Sequence, residues 1–464
     1  MIETKFSGIL VILLSAVLLS SCFFGVLEPA GAATISSLHV LGDKILDSAN
    51  RPVILRGIGR TGDMESASGM WSTAGDVNVA AWGQKWMPIE YNIPLMDATF
   101  ECYQQVWNVN MIRLFVLPSW YWQDDIVPSQ QDPANYPLWT TPISYRAYIQ
   151  TVVAEAQKYG IYVDLVPFQL ISGYQDGNQG GAQGLPLSGW DSVAQGFLRS
   201  TNLSERQFWQ WFWTMLSANL RSYPNVIYEA YNEPENLGND AITPAYLEYL
   251  TLMYTAVRST GSSNLIFMQW NGGYVPTWND LSWCTQITTA IPRASNIAFT
   301  THVYRHAPYF NSQWGVDYPT VLIQMLTAIK SMGVVAPLVI NEAGSCMSYV
   351  AANDVQNELN WWSGLNRVAQ TLSIGLSAYY WMADTDLGPV FAGEALLSGP
   401  WPARAATPPA NNMGQIFLNY GIDTRLLSPR LPPLPSLPPI SPTPNNENTT
   451  PTSPLLPSTI PSPS

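Results

Sequence analysis

Two glutamates end apolar runs in this chain. Val226-Ile227-Tyr228-Glu229-Ala230-Tyr231-Asn232-Glu233-Pro234 closes on Glu233, and Leu338-Val339-Ile340-Asn341-Glu342-Ala343-Gly344 closes on Glu342. With only 33 acidic residues in 464, an acid at the tip of a β-type run stands out. Two carboxylates facing each other across an acetal can break a glycosidic bond: one protonates the leaving oxygen, and the other attacks the anomeric carbon or activates water. In that scheme Glu233 rests protonated, with its pKa raised by its surroundings or by the other carboxylate, while Glu342 stays ionised. The sequence carries no phosphate-binding loop and no close-spaced metal-ligand cluster, so neither cofactor nor metal is expected.

Such a pair needs a scaffold that brings distant segments together. Eight apolar runs alternate with helical patterns: Pro52–Ile58, Met111–Leu117, Ile161–Phe168, Val226–Tyr231, Leu265–Trp270, Ile297–Val303, Leu338–Ile340 and Ser377–Trp381. Several are apolar throughout, as strands buried on both faces of a parallel sheet are. Helical spacing is read over Tyr145–Tyr159, Glu205–Ser222, Tyr246–Ser259, Pro319–Met332 and Asn353–Val368. The aromatics of Glu205–Ser222 are expected to pack helix on barrel. Eight such units predict an α/β chain folded as a (β/α)8 TIM barrel, with its site at the C-terminal ends of the strands. Ile35–Asp47 reads as a β-hairpin that floors the barrel. Two long connections, Gly59 to about Met96 and Gln169 to about Leu203, carry Trp71, Trp82, Trp86 and Trp190 and read as a wall over a cleft. Glu233 and Glu342 fall on the fourth and seventh strands, across the mouth from each other, close enough to converge to about 5 Å.

Asn232-Glu233-Pro234 resembles the acid/base motif of glycoside hydrolase family 5, the cellulase family, within a clan of retaining (β/α)8-barrel glycosidases. Four further segments resemble the family in order and place: Val53-Ile54-Leu55-Arg56-Gly57, Asn110-Met111-Ile112-Arg113-Leu114, Thr301-His302-Val303-Tyr304 and Tyr379-Tyr380-Trp381. The likeness spans roughly residues 36–425. It implies Glu233 as acid/base and Glu342 as nucleophile, with Arg113 and Tyr304 holding Glu342. It further implies His302 near the acid/base, Asn232 on the sugar 2-hydroxyl and Trp381 as a stacking floor. Taken singly, Arg113, His302 and Trp381 each suit a structural role as well; their joint order favours the site. One departure stands out. The family places a His at the end of its third strand, and Val163-Asp164-Leu165-Val166-Pro167-Phe168-Gln169 has none, so Gln169 substitutes or the subsite is built differently.

Composition narrows the partners. Charged residues are 11% against a typical value of about 25%, which leaves a neutral polar surface suited to a hydroxyl-rich ligand. The net charge of −13 argues against nucleic acid and against an anionic membrane surface. Residues 1–33 read as a signal peptide whose apolar run, Ile9 to Leu19, is too short to span a membrane. In a second reading, Leu19-Ser20-Ser21-Cys22 is a lipoprotein box that leaves Cys22 as a lipid anchor. The catalytic domain is expected over 34–425, followed by a disordered Pro/Ser/Thr-rich tail over 426–464. Cys102, Cys284 and Cys346 allow one bridge or none. The expectation is a secreted or cell-surface monomer, an endo-acting β-1,4-glucanase on a polysaccharide. The alternatives are β-mannan as substrate, or a non-catalytic carbohydrate-binding protein on a barrel scaffold.

Overall fold

A computed structural model of the chain describes residues 35–59, 93–124, 143–167, 192–232, 244–269, 282–305, 333–345 and 355–379, together with Thr327, Ser331 and Phe417. All eight expected runs overlap strands: β3 (Arg56–Gly59), β4 (Met111–Val116), β5 (Tyr162–Pro167), β6 (Val226–Glu229), β7 (Leu265–Gln269), β8 (Ile297–Arg305), β9 (Leu338–Ser345) and β10 (Gly375–Tyr379). Each pairs in parallel with its neighbours, and β10 pairs with β3 to close the barrel. Parallel neighbours need long crossovers, usually through a helix. The described helices are α1 (Ile93–Gln105), α2 (Pro118–Gln123), α3 (Tyr145–Lys158), α4 (Ser192–Thr201), α5 (Glu205–Leu220), α6 (Pro244–Ser259), α7 (Ser282–Ala290) and α8 (Val355–Leu372). The chain is a (β/α)8 barrel.

Strand periodicity splits the apolar residues into two cores. Ile112, Leu114, Val163, Leu165, Ile266 and Ile340 point outward and pack under the helices. Met111, Tyr162, Ile227, Leu265, Phe267, Ala298 and Val339 point inward, where Leu38 and Ile45 join them from below. Those two residues flank and form the antiparallel hairpin of β1 (His39–Leu41) and β2 (Lys44–Leu46), which is therefore the expected floor. Tyr162 donates its hydroxyl to the Ser36 carbonyl at 2.9 Å, and Asn296 donates to the Leu38 carbonyl at 2.9 Å. At Gly57 a β-carbon would meet Met111 Cε at 2.6 Å and Ser377 Oγ at 2.8 Å. Glycine there is what lets Met111 fill the barrel axis.

Helix α5 shows how the sequence sets its own start. Ser204 and Gln207 form a reciprocal capping box. Phe208, Trp209, Phe212 and Trp213 are all buried against the barrel, as the pattern predicts. The two long connections are in part helical: α1 and α4 occupy their ends. In α1, Met96, Phe100 and Tyr103 sit at helical spacing and are buried. In α4, a central Gly196 weakens the pattern, because glycine is a poor helix former. The tryptophans Trp71, Trp82, Trp86 and Trp190 lie outside the described residues, as do 1–33, the tail, and all of Pro319–Met332 except Thr327 and Ser331. By contacts the chain divides into Met1–Ile422 and Asp423–Ser464. Cys102 and Cys284 are buried free thiols, and Cys22 and Cys346 lie outside the described residues. Among the described residues no helix is long and apolar enough to cross a membrane.

Candidate active site

Above the apolar layer, the same inward positions turn polar. Met111 is followed two residues on by Arg113, Tyr162 by Asp164 and Ile227 by Glu229. Strand β8 adds His302, and β9 adds Asn341 and Glu342. Arg113, Asp164, Glu229, His302 and Asn341 are fully buried, and Glu342 is 6% exposed. Strict alternation would allow only one of Asn341 and Glu342 to face inward. The pairing of β9 slips at this point: Ile340 lies opposite Thr301, while Glu342 lies opposite the next residue, His302. The register with β10 shifts at the same place. This bulge leaves Asn341 as the extra residue and turns Glu342 into the barrel, while Ile340 and Ala343 stay in the outer core.

Arg113 organises the cluster. Its Nε and Nη2 donate to Glu229 Oε2 and Oε1 at 2.6 and 2.8 Å, a bidentate pair. Its Nη1 donates to Glu342 Oε2 at 2.5 Å, and Nη2 also donates to Asn232 Oδ1 at 2.8 Å. Asp164 Oδ2 lies 3.9 Å from Nε. The Phe115 ring lies 4.9 Å from the guanidinium carbon. Burial disfavours the charge on Arg113, yet Glu229 and Glu342 outweigh it and raise its pKa. His302 Nδ1 stands 3.7 Å from Glu342 Oε1. Burial pulls the His302 pKa down to about 4 despite Glu342, so the imidazole is neutral at physiological pH. Burial and then Glu229 push Asp164 well above the ordinary Asp value.

The structure thus brings together four of the residues singled out in the sequence: Arg113, Asn232, His302 and Glu342. Glu233 and Trp381 lie outside the described residues, as do Gln169 and the side chain of Tyr304. Two carboxylates were not singled out. Glu229 shows its place through period two: it falls two residues after the inward Ile227 and three before Asn232. Asp164 is a charge in an otherwise apolar strand, again two residues after an inward side chain. It is the polar group that the third strand supplies to the interior. Among the described residues no group of His, Cys, Asp or Glu is arranged to hold a metal ion.

A family model described as Cellulase (glycosyl hydrolase family 5) matches residues 72–386. No curated protein matches the chain. Among solved structures, an endocellulase from Pyrococcus horikoshii in complex with cellotetraose is similar at 15% identity and a TM-score of 0.55. That match covers 83% of this chain and 100% of that one. The catalytic domain of the major endoglucanase from Xanthomonas campestris is similar at 14% identity and a TM-score of 0.53, covering 83% and 99%. At such identities the likeness is one of fold.

Proposed function

The chain belongs to glycosyl hydrolase family 5, and from that premise we propose that it is a secreted, endo-acting β-1,4-glucanase that works by double displacement with retention. That it is a glycoside hydrolase follows from the family. The polysaccharide, the mode of attack, the stereochemistry and the export are the finer reading. The observation that carries it is the contact of Arg113 Nη1 with Glu342 Oε2 at 2.5 Å, within the seventh barrel strand.

A nucleophile must be ionised and correctly aimed. Arg113 favours the charged form of Glu342 by direct ion pairing, and the β9 bulge aims it. The neutral His302 adds no second positive charge, so the carboxylate keeps its nucleophilicity. Asn232 is held through its Oδ1 by Arg113, which orients the side chain, and its amide would donate to a sugar hydroxyl; a contact to the 2-hydroxyl strengthens at the transition state. Glu233, one residue on, would protonate the leaving oxygen and then deprotonate water. Tyr304 would donate to Glu342, and Trp381 would floor the subsite. A glucan substrate is supported by the endocellulase and cellotetraose named for similar folds and by the low charge content of the chain. β-Mannan is the second substrate class.

Reducing-sugar release by the full chain from carboxymethyl cellulose, barley β-glucan and mannan tests this, beside Glu342→Ala. Release from a glucan is expected, falling at least about a thousandfold in the variant. Release from mannan alone would move the substrate to the second class. Binding without release from any polymer would favour a carbohydrate-binding protein.

A further inference from the structure

Arg113 has one positive charge and five N–H donors. Glu229 takes two of them, Glu342 one and Asn232 one. A third carboxylate, Asp164, stands 3.9 Å from Nε and is fully buried. Neither of its oxygens has a donor at full hydrogen-bond geometry; the Asn341 amide acts on it as a weak donor that favours the charged form, and burial and Glu229 outweigh it. No other Lys or Arg among the described residues pairs with Asp164 or Glu229. Three ionised carboxylates around one guanidinium would leave two net negative charges in a dry barrel, and isolated buried charge is avoided by protonation. The side chains that act on Asp164 are Glu229 from β6, Arg113 from β4 and Asn341 from β9. Among the described residues, Glu342 and the neutral His302 are the further charged and titratable groups of the cluster.

We propose that Asp164 is a positioning residue that carries a resident proton and donates it in a hydrogen bond to Glu229, so that the charge of Arg113 is shared by Glu229 and Glu342 alone. The absence of a donor at that geometry is what a carboxylic acid facing a carboxylate looks like, since each oxygen counts only as an acceptor until the proton is placed. The bulge explains the role of Asn341: its amide, turned inward one residue before Glu342, is the neutral polar neighbour of this acid. The charge balance follows. An ionised Asp164 would compete for Arg113 and loosen its hold on Glu342. A neutral one fills the space without competing. The importance of that balance for turnover rests on the reading of Glu342 as nucleophile; the protonation itself does not.

Infrared spectra of the folded full chain, grown with heavy-carbon aspartate, test the protonation without any substrate. An aspartic-acid carbonyl band is expected at neutral pH, separate from any protonated glutamate and absent in Asp164→Asn. It should also vanish in Glu229→Gln, where Asp164 is still present but ionises to take the vacated place beside Arg113. A merely structural Asp164 would not respond to that second change. In Asp164→Asn the acidic limb of the kcat/KM profile should stay where it lies in the wild type, because the variant replaces one neutral side chain by another. Its thermal midpoint should gain on that of the wild type as pH rises above the ordinary Asp value, since a raised pKa stabilises the fold only while the proton is held. A labelled carboxylate band that Asp164→Asn removes would overturn the proposal, as would a shifted acidic limb. If Asp164→Asn does not fold, the labelled wild-type spectrum decides alone. A wild type without glycanase activity would defeat the functional reading and leave the band to decide this one.

Discussion

Along β4, Met111 and Arg113 point at the same barrel axis two residues apart, yet they enter different layers. Below, Met111, Ile227, Phe267 and Val339 close on the hairpin residues Leu38 and Ile45. Above, Arg113, Asp164, Glu229 and Glu342 close on one another. Both layers are buried. The lower one is filled by volume, and many apolar side chains of the right size would serve there. The upper one is filled by charge and donor geometry, where each group depends on a specific partner. Polar groups this deep are costly unless paired. Stability is therefore the business of the lower layer and chemistry that of the upper, on the same strands.

The largest test of that division is Arg113→Met. It removes the cation and leaves buried carboxylates without their partner. A loss of about 3–5 kcal/mol is expected in denaturant unfolding, with activity down by at least about a thousandfold. Arg113→Lys should not restore activity, because an ammonium does not offer the bidentate fork that Glu229 takes. An Arg113→Met protein as stable as the wild type would mean that the upper layer is held by packing after all.

Ile227→Ala probes the lower layer from the neighbouring strand position. The residue is fully buried, and such truncations cost about 2–5 kcal/mol. Turnover per folded molecule should stay unchanged at temperatures where the variant is folded. A fall in kcat without a fall in stability would erase the distinction between the layers.

The lower layer was legible from the sequence and the upper one only in part. Alternation and apolar runs give strands such as Met111–Val116, and their order gives the barrel. Arg113, Asn232, His302 and Glu342 emerged because the segments that carry them resemble those of the family in order and place. Glu229 and Asp164 did not, since a carboxylate inside a strand is read as a break in pattern until its partner on another strand is known. Arg113 lies 116 residues before Glu229 in the chain, and no local pattern links them. The bulge at Asn341–Glu342 was hidden for a similar reason. Leu338-Val339-Ile340 suggests a strand of plain period two, and the extra residue shows only against the registers of β8 and β10.

The smallest test concerns His302, where the two layers differ in how they meet protons. The apolar layer has nothing to titrate at acid or neutral pH, its one phenol, Tyr162, being pushed up to about 12 by burial. His302 is fully buried and its pKa is lowered to about 4 from 6.5. A lowered base is neutral when folded and takes a proton more readily when unfolded. Its contribution is therefore complete above pH 6.5 and is lost as pH falls through about 4. The full shift corresponds to about 3 kcal/mol at most. Asp164 runs the other way, because its raised pKa costs stability as pH rises, so the wild type should show a shallow profile across this window. His302→Asn removes the histidine limb and leaves that of Asp164. Its thermal midpoint should then decline from acid to neutral pH more steeply than that of the wild type. An identical profile in the two proteins would mean that His302 takes its proton as readily folded as unfolded, and below about pH 6.5 Glu342 would then face two cations instead of one.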